Sequence, residues 1–91
     1  MSKYRGTVVK VREVSREANG GHLWVRWLWR EIHTGEHFIS SFTTTPRVPE
    51  TMVFAADEYG CIESWGEMGV SYEWLNHYDA MRFAGYKIGK W

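Results

Sequence analysis

The sequence predicts an α+β fold, an antiparallel sheet of four to five strands packed by one C-terminal helix, and three observations carry that expectation. Apolar and polar residues alternate between Tyr4 and Trp65, the two-residue period of a half-buried strand. Glycine-bearing turn signals cut this stretch into short runs. After Asn76 the apolar spacing changes to that of a helix. With 91 residues the chain holds one domain, residues 1–91, and one core.

The first strand runs from Tyr4 to Ser15, with Thr7, Val9 and Val11 on one face and Val8, Lys10 and Arg12 on the other. Ala18-Asn19-Gly20-Gly21 is the strongest turn signal, because Asn-Gly supplies the positive φ angles of a tight hairpin. His22 to His33 returns as a second strand. Leu23, Val25, Trp27 and Trp29 share its inner face; Trp24, Arg26, Leu28 and Arg30 share the outer one. Thr34-Gly35-Glu36 turns into a third strand over His37 to Thr45. Pro46 and Pro49 bracket a connection, since proline donates no ladder hydrogen bond. Glu50 to Ala56 forms a fourth strand, Asp57 to Gly60 a turn, and Cys61 to Trp65 a short fifth strand with Cys61 buried. Asn76 and Asp79 resemble a capping box. Met81, Ala84, Ile88 and Trp91 then fall on one helical face, which Gly85 and Gly89 weaken. Val9, Val11, Val25, Trp27, Phe54 and Trp65 are the expected core.

Composition narrows the function classes. Apolar residues make up 44% and the formal net charge is zero, which excludes a disordered chain. A neutral chain also lacks the positive excess of a general nucleic-acid or anionic-membrane binder. The charge is uneven: residues 1–45 carry seven Lys/Arg against four Asp/Glu, and residues 46–91 carry four against seven. A lone Cys61 allows no intrachain disulfide, no apolar run spans a bilayer, and the segment Met1 to Gly6 has no apolar leader. The cytoplasm is the expected compartment and no membrane is an expected partner.

The segment Glu50-Thr51-Met52-Val53-Phe54, followed by Asp57 and Gly60 and then Trp65-Gly66-Glu67 and a short helix, resembles a group of small uncharacterised proteins of actinobacterial phages. The likeness covers residues 50–86. It implies a bacteriophage accessory protein acting inside a bacterial host and transfers no catalytic residue. The same spacing reads structurally as a hairpin with Met52, Phe54 and Trp65 in its core and Gly60 in its turn.

Candidate site residues lie mainly on the first hairpin. With the apolar face inward, Lys10, Arg12, Trp24, Arg26 and Arg30 point outward together, and arginines beside an indole hold phosphates, bases or acidic protein surfaces. The plain alternative is a solvated sheet face with arginine stems covering Trp24 and Leu28. His33 and His37 flank a turn near Glu31 and His22, a weak zinc candidate without a clear fourth ligand. Asp57, Glu58, Glu63 and Glu67 read as a solvated edge. No phosphate loop, His-Glu-x-x-His or Gly-x-Ser-x-Gly motif is present. The expectation is a non-enzymatic inhibitor or modulator, with no cofactor, that binds a host protein and serves anti-defence or takeover. A nucleotide or signalling small molecule is the first alternative ligand and nucleic acid the second.

Overall fold

The computed structural model describes residues 4–44, 49–63, 70–73 and 76–90. In chain order these form β1 (Gly6–Asn19), β2 (His22–Glu31), β3 (His37–Thr44), β4 (Pro49–Ala56), β5 (Val70–Glu73), α1 (His77–Phe83) and β6 (Tyr86–Ile88). The strands make one sheet in the order β5-β4-β3-β2-β1-β6. Every neighbouring pair is antiparallel except β1 and β6, which run parallel. No helix among the described residues is long and apolar enough to cross a membrane.

The expected α+β class holds in outline: a mostly antiparallel sheet carries one short helix. Its C-terminal part differs. Asn76 caps α1 as expected, its side chain accepting from the Asp79 amide, but the helix stops at Phe83. Gly85 then turns the chain with a φ of 105°, the conformation that ends helices at low cost in glycine. The next residues lie beside the start of β1, where Arg5 N–H bonds Gly85 O and Gly89 N–H bonds Val8 O. Ile88 therefore packs against Val8, Trp29 and Met81 from a strand and not from a helix. Trp91 lies outside the described residues.

Two other expectations change. Cys61 to Trp65 forms no strand among the described residues; Ile62 alone bridges to Ala56, and β4 takes β5 as its partner instead. Cys61 is exposed because Asp57 closes a tight loop here, its Oδ1 accepting from the Tyr59 and Cys61 amides. Trp65 lies outside the described residues.

β1 decides the shape of the sheet. It slips register between Lys10 and Arg12 and again between Glu13 and Ser15, and each extra residue bends and twists the strand. The sheet curls until the loop after β4 meets β1. There Arg12 Nη2 donates to Tyr59 O at 2.9 Å, and a Cβ on Gly60 would sit 3.1 Å from Val14.

Curling buries both faces. On the convex face Ala80 and Met81 of α1 pack on Val8, Trp29 and Val53, with Trp27, Phe38, Tyr86 and Ile88 at the margin. On the concave face Leu28, Ile39 and Ala56 pack with Val11, Val14 and Ile62. Leu28 and Trp29 are consecutive and both 0% exposed. Leu28 is thus core, contrary to its expected outward position, because the curl supplies a second lid. Val9, Val25 and Phe54 are buried as expected, whereas Val11 and Trp27 are only half-buried.

Candidate functional site

The Asn-Gly signal places a two-residue hairpin loop, and the positive φ angles fall on Gly20 and Gly21 (58° and 87°). Asn19 consequently pairs with His22, and the register runs back from there: Glu17 lies opposite Trp24 and Ser15 opposite Arg26. Across β2, Trp24 faces Thr43 and Arg26 faces Ser41. Cross-strand partners share a face, so two polar rungs, Glu17-Trp24-Thr43 and Ser15-Arg26-Ser41, occupy the open end of the concave face. Beyond them the second core begins at Leu28.

An open groove of about 290 Å³ lies here, lined by Ser15, Glu17, Trp24 and Arg26. Trp24 is 38% exposed and stacks on His22 with ring centroids 5.5 Å apart and planes at 27°. The imidazole thereby backs one side of the indole. Glu17 is exposed, and no hydrogen bond or ion pair holds its carboxylate among the described residues. Tyr59, 72% exposed, stands on the Asp57-closed loop that packs against β1.

Of the five sequence-predicted site residues, the register puts Trp24, Arg26, Arg30 and Arg12 on the concave face. Lys10 does not join them. The bulge after it reverses the alternation: Lys10 pairs with Trp29 while Arg12 pairs with Leu28. Lys10 belongs to the convex face, where its Nζ lies 3.5 Å from the Trp27 ring centroid. The four others do not form one continuous patch, since buried Leu28 separates Arg26 from Arg30. Ser15 and Glu17 were missed, and His22, read only beside the histidine turn, stacks on Trp24 instead. Counting back from the Asn-Gly turn would have placed Glu17 opposite Trp24.

The histidine turn is organised around a carboxylate. Glu31 Oε2 accepts from the His33 and Thr34 amides at 2.9 and 2.6 Å, and Oε1 accepts from the Thr7 amide at 3.2 Å. Burial raises its pKa, but the amides of Thr34, Thr7 and His33 with the Thr34 hydroxyl outweigh this and hold it at about 2. Both oxygens serve the backbone, so Glu31 is a turn-fixing group rather than a ligand for His33 or His37. Among the described residues no three His, Cys, Asp or Glu side chains gather as a metal set.

On the convex face a polar chain ties α1 to the sheet. Trp29 Nε1–H donates to Ser40 Oγ at 2.7 Å, and Ser40 Oγ lies 2.6 Å from His77 Nδ1. His77 Nε2 is buried with no hydrogen-bond partner among the described residues. Burial, then the charge of Lys10, lowers the His77 pKa to about 4, with Glu13 opposing and Arg16 adding to the effect. The imidazole is neutral at physiological pH, and with Ser40 sealed at 0% exposure this pair joins elements and does not face solvent. Asp57 is spent on its loop, Glu58 and Glu63 are exposed, and Glu67 lies outside the described residues. No protein-family model, no curated protein and no solved structure matches this chain.

Proposed function

We propose that this chain is a non-catalytic bacteriophage accessory protein that binds a host protein stoichiometrically through the concave end of its sheet and thereby modulates or inhibits it. One observation carries the reading: an exposed tryptophan, stacked on His22 and flanked by Arg26 and Glu17, stands beside an open groove on the sheet. Trp and Arg are the residue types that dominate binding hot spots, and a stacked ring loses little entropy when it is covered. The phage-protein resemblance of residues 50–86 supplies the host setting, in which the cytoplasm is the compartment and defence or takeover the context. An acid and a base on neighbouring rungs complement a protein surface of mixed charge. Affinity capture from host lysate, compared between the parent and Trp24→Ala, tests the reading.

A nucleotide is the second reading, favoured by the same indole plane and by the Arg26 guanidinium. Glu17 in the groove wall repels phosphate, which ranks it lower. A thermal shift on adding nucleotides would support it.

A further inference from the structure

We infer that the groove receives an extended segment of the partner protein carrying an arginine and, two residues away, an aspartate or glutamate. The inference rests on the protein-binding reading above and names the chemistry of the partner. Three features of the two rungs lead to it.

The first rung sets a carboxylate directly across from an exposed indole, Glu17 opposite Trp24. A guanidinium satisfies both at once, because its plane stacks on an aromatic face while its edge donates in pairs to a carboxylate. His22 occupies one side of the indole and leaves the groove side for the incoming group. A lysine would meet the charge but not the flat ring and the paired acceptors together.

The second rung reverses the sign. Arg26, opposite Ser15 and Ser41, sits two residues along β2 from Trp24, which is about 7 Å of strand. An extended segment lying along β2 places its own alternate side chains at the same spacing. If arginine occupies the first rung, the side chain two positions away meets Arg26, and an acid complements it. Arg26 has five donors in its fork, so it can receive a carboxylate while keeping other hydrogen bonds. Ser15 and Ser41 add small polar flanks that do not obstruct either group.

Beyond the second rung the concave face closes over Leu28, Val11, Val14 and Ile62. The groove therefore accommodates a short run of partner chain at its open end and not a continuous strand along the whole face.

The test is an NMR titration of the isotopically labelled chain with acetyl-Arg-Ser-Glu-amide, following the Trp24 indole and Arg26 side-chain signals. Saturable shifts in the millimolar range are expected. Exchanging either the arginine or the glutamate of the peptide for glutamine should weaken binding about fivefold. Glu17→Gln should weaken it similarly, whereas Lys87→Gln, on the edge strand β6, should leave it unchanged. Absence of saturable shifts overturns the inference, as does binding indifferent to both peptide exchanges or carried by the glutamate alone. The two proposals fail separately. If Trp24→Ala abolishes capture of a host protein but the peptide gives no shift, the segment chemistry is wrong and the binding face stands. If the peptide binds as expected but capture is indifferent to Trp24→Ala, the groove chemistry stands and the host-protein reading falls.

Discussion

The imidazole of His77 lies flat against the indole of Trp27, with 4.0 Å between ring centroids and 11° between planes. Lys10 approaches the same indole at 3.5 Å, and the two cannot share one side of the ring, so Trp27 is clamped between β1 and α1. This contact, with the Trp29-Ser40-His77 chain beside it, seats the helix on the convex face, away from the groove at the open end of the concave face.

Acid should loosen that clamp. An unfolded chain protonates His77 near 6.5, whereas the folded chain resists until about 4. Stability contributed by the neutral ring is therefore full above pH 6.5 and declines as pH falls to 4, by on the order of 2–3 kcal/mol. Glu31, depressed from 4.5 to about 2, extends the loss across that lower window. Urea unfolding measured from pH 7 to pH 3 should show a decline that His77→Phe removes above pH 5. A parent curve that is flat between pH 6.5 and pH 4.5 would contradict the burial of His77.

The two inner tryptophans should rank by burial. Trp29 is 0% exposed and bonded to Ser40, so Trp29→Ala should cost about 4–5 kcal/mol. Trp27 keeps part of its ring in solvent, and Trp27→Ala should cost about 2–3 kcal/mol, the usual truncation cost reduced for incomplete burial. Denaturant midpoints in the reverse order would contradict the burial assigned to the two rings.

Gly6 and Gly60 are among the glycines that hold close approaches. A Cβ on Gly6 would lie 2.9 Å from Glu31 Cγ, and one on Gly60 would lie 3.1 Å from Val14 at a φ of 88°. Each change to alanine should destabilise by about 1–3 kcal/mol through overpacking, with backbone strain added at Gly60. Gly20→Ala meets open space at a φ of 58°, so strain alone should make it milder. Thermal melts of the three variants give the order directly.

Much of the sheet was legible because β2, β3 and β4 pair with one another without a register slip, and their strands start and stop within a few residues of the expected positions. The Asn76 cap was legible as a local signal. What escaped was set by long-range geometry. The β1 bulges invert alternation midway, which parted Arg12, on the concave face, from Lys10, on the convex one, and brought Val11 and Val14 into the second core. Leu28 looked exposed because a period counts two faces and cannot say that both are covered. The last strand was hidden by Met81, Ala84 and Ile88, whose helical spacing is real although the chain leaves the helix at Gly85. At the site, Trp24 and Arg26 were placed on one face from alternation, while Glu17 and Ser15 depend on the hairpin register.

Binding by the concave face is most directly tested by quantitative capture from host lysate with three baits: the parent, Trp24→Ala/Arg26→Ala, and Lys10→Ala on the convex face. Both variants should fold; exposed or half-exposed substitutions of this kind commonly stay within ~1 kcal/mol of the parent. The parent and Lys10→Ala should retain the same host protein in stoichiometric amount, and the double variant should lose it by at least the ~2 kcal/mol of a hot spot, about thirtyfold in affinity. Undiminished capture by the double variant at an unchanged melting temperature, or equal loss with Lys10→Ala, would contradict the assignment.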